Sequence, residues 1–465
     1  MRQRKSFLVT SLALAAVVLA GVGYWANQSQ ARTSVEGPNY LSSDHPGKLI
    51  VHEWGTFTSF SGSNGVRIDF RPLADNDLPA FVINRARQAG AWHPLAKFNL
   101  LVQERMETPV TYFYTDRERE VNVKVGFPQG LLTEFYPPVQ QMLPKFEWKN
   151  AVKIRDSELD WGTVQLIPES KLGNTVADKG LSEVIRQRLL GSLLPDTQGN
   201  HYQFARETDS ALVHVNLPGK KDLYSVPNGD FFEKFLFYRG IGNFELPIHV
   251  VAKGSGRFEV SNSGSDAIRS LFLVTADGKE LRFAKAEQID PQGKLTMVQS
   301  STKANLDDLA EAVVESLVAE KLYEKEARSM VNTWRQSWFG EQGTRLFYVV
   351  PSRLTEALLP LTISPAPDEM VRVLVGRFEI MSPEDEARVT KLVQQSIVAR
   401  DEHLKKAEKD EKLRQQGLPL PESIRNLGRL AEPALVRVRT IAKEPAVREE
   451  AGRLLAQWSQ QRGLE

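Results

Sequence analysis

His52 and Glu53 are the first residues of the chain whose types invite chemistry. They begin the stretch His52-Glu53-Trp54-Gly55-Thr56-Phe57-Thr58-Ser59-Phe60, which runs into Ser61-Gly62-Ser63-Asn64-Gly65. An imidazole and a carboxylate can bind a metal or move protons near neutral pH. Aromatic and β-branched residues favour an extended chain, and Gly and Asn tolerate positive φ. The stretch therefore predicts a strand over about 49–60, then a loop. Successive strand residues point to opposite faces. Trp54, Thr56 and Thr58 share one face; Glu53, Gly55, Phe57 and Ser59 share the other. His52 and Glu53 cannot easily serve one site. Beside the catalytic reading stands a structural one, a strand start with His52 hydrogen-bonded and Glu53 solvated or paired to an Arg.

Other candidates lie further along. Arg206-Glu207-Thr208-Asp209 concentrates charge between two apparent strands, as a binding group or as a turn with a local ion pair. Tyr238-Arg239-Gly240 beside an aromatic strand suits a sugar or an anion, or an Arg stacked over core aromatics. Trp54 joins them as a binding candidate. The seven His (His45, His52, His93, His201, His214, His249, His403) form no HxH or HExxH spacing. A metal site would have to be assembled from distant strands, drawing on His52, His201, His214 and His249 with Glu53, Glu207 or Asp209. Neither a metal nor another cofactor can be named from these residues. No GxSxG, Walker A or dinucleotide fingerprint stands out. Paired carboxylates cannot be picked from sequence, because their separation is three-dimensional.

The elements that must position these residues follow from patterning. At 465 residues, with 41% hydrophobic and 25% charged residues, the chain should hold two or three globular domains. A net charge of +1 gives no general attraction to nucleic acid. The chain has no Cys, so disulfides, thiolate metal sites and a Cys nucleophile are excluded. Residues 1–31 read as a signal peptide or membrane anchor. A basic start, Met1-Arg2-Gln3-Arg4-Lys5, precedes an uncharged run from Phe7 to Tyr24. That run, about 18 residues, lies between a long signal core and a short anchor. Ser29-Gln30-Ala31 and Val18-Leu19-Ala20 both offer small residues for cleavage. The basic start predicts the remainder outside the membrane, periplasmic or anchored facing the periplasm.

Residues 32–47 read as a linker and 48–300 as a β-rich domain of short strands separated by turns. Strands are predicted over 108–114, 121–127, 131–136, 202–204, 211–215, 231–238, 246–251, 256–261, 268–275 and 279–283. Further strand candidates lie in 147–167, with Trp148 and Trp161 as core or cleft residues, and a helix covers 181–190. Arg239-Gly240-Ile241-Gly242-Asn243 reads as a turn. In 301–381, Asn305 caps the first of two helices, which break near Tyr323-Glu324-Lys325. Trp334 and Trp338 share a face, which either docks onto the β domain or offers a ligand platform. Strands at 345–350 and 370–380 flank a short helix and a Pro-rich loop. Ser382-Pro383-Glu384-Asp385 starts a charged helix over 382–416.

The last region, 417–465, contains Leu427-Gly428-Arg429-Leu430-Ala431-Glu432-Pro433-Ala434-Leu435 and Glu444-Pro445-Ala446-Val447-Arg448-Glu449-Glu450-Ala451. This stretch resembles a single HEAT-type helical repeat, which would need neighbours to bury its face. HEWGTFTSF at 52–60, METPVTYFY at 106–114, the 323–338 segment with TWRQSWF, and VGRFEI at 375–380 resemble words shared by a group of uncharacterised exported bacterial proteins. That resemblance implies export and transfers no catalytic residue. The expectation is an α+β protein, with a large antiparallel β-sandwich-like domain followed by helical and mixed segments and a small helical C-terminal unit. Two functions compete: a noncatalytic envelope protein that binds a glycan or a protein, and an exported hydrolase or lyase built on His52 and Glu53. Membrane contact is expected only through an uncleaved N-terminal segment.

Overall fold

The computed structural model describes residues 40, 44–72, 78–85, 100–144, 153–171, 191, 193–197, 199–217, 229–416 and 418–462, all within a compact unit spanning Asn39–Glu465. The expected export segment, Trp148 and the 181–190 helix lie outside the described residues. The fold is α+β.

The 52–60 motif lies in Leu49–Ser61 (β1), a central strand of a nine-stranded sheet that is buried along its whole length. One neighbour is Glu104–Thr115 (β3), antiparallel to it. The other is Glu369–Ile380 (β18), parallel to it, an exception in an otherwise antiparallel sheet. Beyond β3 come Leu236–Gly242 (β10), Gly130–Tyr136 (β5) and Ile83–Asn84 (β2). Beyond β18 come Gly343–Val349 (β16), Ile268–Ala276 (β13) and the edge strand Leu281–Ile289 (β14). The change of pattern near residue 300 is thus no break in the sheet, because β16 and β18 sit between strands of the first 300 residues.

A second sheet runs Leu361–Ser364 (β17), Arg119–Phe127 (β4), Ser157–Ile167 (β7), Leu212–Leu217 (β8) and Gly229–Glu233 (β9), with Gln141–Leu143 (β6) also on β7. A third contains Ile248–Gly254 (β11), Arg257–Asn262 (β12) and Lys294–Val298 (β15). Both smaller sheets cover one face of the large sheet. Val51 and Phe57 of β1 and Phe113 of β3 share a core with Val123 of β4, Trp161 of β7 and Val260 of β12. Alternation explains the split: β4 buries Val121, Val123 and Val125 and turns Asn122 and Lys124 outward.

Two helices pack on the opposite face, Leu306–Ala319 (α1) and Glu324–Arg335 (α2). Asn305 caps α1 by accepting from the Asp308 N–H. Val313, Leu317, Met330 and Trp334 meet Ile50, Trp54, Val110 and Val373 of the sheet. Trp338 is also buried there, in a π-helical turn after α2. Ser352–Leu358 (α3) precedes β17. Pro383–Ala407 (α4) starts with a Ser382–Asp385 capping box. Glu411–Gln416 (α5), Glu422–Arg425 (α6), Ala431–Ile441 (α7) and Pro445–Arg462 (α8) follow. Val389 and Val393 of α4, Leu435 and Val438 of α7 and Leu454 of α8 close over Phe60 and Ile241.

Several local expectations differ. Residues 202–204 belong to a 3-10 helix, His201–Arg206, capped by Asn200. The expected turn at Arg239–Asn243 is instead the end of β10, whose residues through Gly242 pair with β3 and β5. Tertiary pairing here overrides the turn preference of Gly. The long charged helix breaks between Ala407 and Glu411. Strands β15 and β17, KLTMV and LTIS, went unanticipated because alternation over five and four residues is too short to stand out.

Gly55 is required by a close approach. The β1–β3 register shifts between Trp54 and Thr56, and a Cβ at Gly55 would lie 2.9 Å from the Pro109 nitrogen. Thr108, opposite this bulge, has φ +46°. Gly55→Ala should destabilise the fold by about 1–3 kcal/mol in urea unfolding, because backbone must move to admit the methyl. An unchanged midpoint would show that the strands separate freely there.

Candidate functional site

The two chemical groups of the motif point to opposite faces of β1. His52 is 1% exposed and faces α2. Its Nδ1–H donates to Glu326 at 2.7 Å, and its ring stacks on Tyr323 at 4.4 Å between centroids. The other Glu326 oxygen accepts from the Tyr114 hydroxyl at 2.7 Å, and the Tyr323 N–H donates to Glu326 at 2.9 Å. Tyr40 packs on both tyrosines. Burial, and then the Glu326 carboxylate, hold the Tyr114 hydroxyl well above its ordinary pKa, so it remains a donor.

Glu53 is fully buried on the sandwich face. One carboxylate oxygen accepts from Thr111 (2.9 Å) and Tyr238 (2.6 Å); the other pairs with Arg372 Nε (2.8 Å) and Nη2 (2.6 Å). Burial, and then Glu53, push the Tyr238 hydroxyl well above its usual range. Glu53 thus meets Tyr238 but not His52. Trp54 lies in the core under α1 and α2.

The charged stretch 206–209 is drawn apart by distant partners. Arg206 forms two hydrogen bonds to Glu233, at 2.9 and 2.7 Å. Asp209 accepts from Lys325 at 2.6 Å. Glu207 ends the 3-10 helix, and its carbonyl accepts from Ser329. The expected local ion pair is therefore replaced by two long-range ones. Arg239 is fully buried and donates to the Tyr202 hydroxyl at 2.8 Å. His214 bridges Gln165 and Asp230, and His249 lies 3.2 Å from the Ser263 hydroxyl. Among the described residues, no group of three or more His, Asp or Glu is arranged to hold a metal.

A second buried cluster is absent from the sequence reading. On the helix face, Glu379 bridges Arg345 (3.1 Å) and Arg377 (2.6 Å). Arg377 reaches Glu341 at 2.9 Å; Arg429 approaches Glu341 and Glu107; Thr58 donates to Glu107 at 3.0 Å. Burial alone would raise the Glu107 carboxyl, but Arg105, Arg429, Arg239 and Arg377 outweigh it and bring it from 4.5 to about 2. The group is depressed on folding, so its stabilisation is full above pH 4.5 and is lost as pH falls towards 2. Glu107→Gln should remove about 3 kcal/mol of acid-side dependence from the unfolding free energy. Parallel pH curves for variant and parent would refute that assignment.

The partners were legible only as words. His52, Tyr114 and Glu326 come from three of the four shared words, and Thr58, Glu107 and Arg377 from the first, second and fourth. Glu326 carried one local signal, its N3 position in a Tyr323 capping box.

Open space lies elsewhere. A cleft of about 520 Å³ is lined by Arg269, Lys321, Arg353, Glu369 and Arg372, among others. A second, of about 430 Å³, lies between Arg257, Asp277 and the start of α4. No helix among the described residues is long and apolar enough to cross a membrane.

No protein-family model matches the chain, and no curated protein matches it. Among solved structures, a yeast delta-COP-I mu-homology domain complexed with a Dsl1 WxWxV peptide aligns at 5% identity, covering 72% of this chain and 96% of that one, with a TM-score of 0.23. At that score the likeness carries no argument about fold or function.

Proposed function

We propose that the chain is an exported, noncatalytic binding protein of the bacterial envelope, with a protein or glycan as its partner. One observation carries this reading: His52 and Glu53 are buried, engaged by Glu326 at the His52 Nδ1 and by Thr111, Tyr238 and Arg372 at the Glu53 carboxylate, and turned to opposite faces. Catalysis would need both groups to meet a substrate. In their buried places they tie β1 to α2, β3, β10 and β18. The hydrolase or lyase alternative has no comparable observation in its favour. The open cleft, with its mixed charged and apolar lining, is the better place for recognition. Export rests on the basic and apolar start of the sequence, and the resemblance to exported bacterial proteins supports it. The α7–α8 pair reads as a HEAT-type unit that packs on α4 as a cap. Nucleic acid is not a partner of a chain so balanced in charge.

The test is a thermal-shift panel on the chain from Arg32 onward, using muropeptides, neutral and acidic oligosaccharides and extended peptides. A saturable rise in melting temperature with one class, without turnover, is the expected result. Hydrolysis or elimination of a panel member, lost in His52→Ala, would overturn the reading.

A further inference from the structure

The 520 Å³ cleft sits where the large sheet lacks a strand. β18 pairs with β1 from Glu369 to Ile380, but with β16 only from Val375 onward. The last contact on that side is the Val350 N–H donating to the Leu374 carbonyl at 2.8 Å. β16 then ends and the chain turns into α3. Strand alternation fixes which groups are left. Leu374 points its backbone towards β16, and Met381 donates to Ser61 on the β1 side. The N–H and C=O groups of Met370 and Arg372 therefore point away from β1, into the cleft. Glu369 and Met370 are exposed, and Val371 and Val373 form an apolar strip beside them.

We propose that this gap is a strand-addition site for an extended peptide of alternating apolar and acidic residues. The inference rests on the binding reading above and names its partner class. Backbone donors and acceptors at two-residue spacing match an extended polypeptide, as does a cleft that reaches both faces of the sheet. Val349, Val371 and Val373 supply the apolar side. Arg269, Lys321 and Arg353 line the cleft without an ion-pair partner among the described residues, and they call for carboxylates. Asp266, Glu320 and Glu369 at its margin oppose a purely acidic ligand, which favours the alternating one.

The probe is a capped, fluorescein-labelled hexapeptide of alternating valine and glutamate, titrated by anisotropy against the chain from Arg32 onward. Met370→Pro removes one N–H on the open side and leaves the β1 pairing intact. It should weaken binding about tenfold, the loss of one backbone hydrogen bond to the peptide. The double change Lys321→Glu and Arg353→Glu should weaken it by at least as much. A peptide N-methylated at alternate residues, tested on the unaltered chain, should also lose binding; this arm decides the matter if Met370→Pro fails to fold. Binding indifferent to both Met370→Pro and N-methylation would overturn strand addition. Absence of hexapeptide binding would overturn it too. If a muropeptide or oligosaccharide still raises the melting temperature in that case, the broader binding reading survives; if no member of the panel does, both fail.

Discussion

Glu379→Ala is expected to destabilise the chain by about 3–5 kcal/mol, measured by urea unfolding. Glu379 is the carboxylate shared by Arg345 and Arg377, and all three are essentially without solvent contact. Its removal leaves two buried guanidiniums facing one another. Arg377 retains Glu341, but Arg345 keeps only the carbonyls of Trp338 and Gln342. The like-charge contact already works against Arg345, whose pKa is lowered by burial and, more weakly, by Arg377. Glu379→Gln should recover part of the loss, because the amide oxygen still accepts one hydrogen bond. A loss below about 1 kcal/mol for the Ala variant would mean that water enters the cluster and that it is not sealed from solvent.

Glu53→Ala should have an effect of similar size, about 3–5 kcal/mol, through a different route. Arg372 would lose its carboxylate, and the Thr111 and Tyr238 hydroxyls would lose their common acceptor. Each stranded polar group costs about 1–3 kcal/mol when buried. A second variant separates the brace from a catalytic role. Glu53→Leu combined with Arg372→Met, Tyr238→Phe and Thr111→Val removes the charges and both hydroxyl partners together. It should recover most of the stability, since buried pairs exchanged for apolar residues of similar volume are often nearly neutral. If the combined variant is no better than Glu53→Ala, the carboxylate contributes something that its three partners do not explain.

The general class of the fold was legible because patterning is a local property. The alternation of Val121, Val123 and Val125 and the caps at Asn305 and Ser382 each stand in a few consecutive residues. What could not be read was which strands become neighbours. The parallel pairing of β1 with β18 joins residues 319 apart, as in Glu53 and Arg372, and no local signal marks it. The same holds for the candidate site. The opposite facing of His52 and Glu53 follows from the period of a strand. The identities of Glu326 and Arg372 do not, because they depend on a helix and a strand contributed by the last third of the chain. Arg206 shows the limit from the other side: four consecutive polar residues suggest a local pair, yet the partner of Arg206 lies on β9. The cleft beside β18 was equally hidden, since it exists only because β18 begins at Glu369, six residues before its first pairing with β16 at Val375.

The account turns on His52 being an inward brace and not an accessible acid–base group. The most direct measurement is diethyl pyrocarbonate labelling of the folded chain, read at each histidine by mass spectrometry. His249 and His403 are partly exposed, whereas His52 is 1% exposed with its Nδ1 engaged. The account predicts that His249 and His403 are modified while His52 is spared until the chain is unfolded. Modification of His52 in the native protein at a rate comparable to His249 would contradict it, and would return the motif to the list of catalytic candidates.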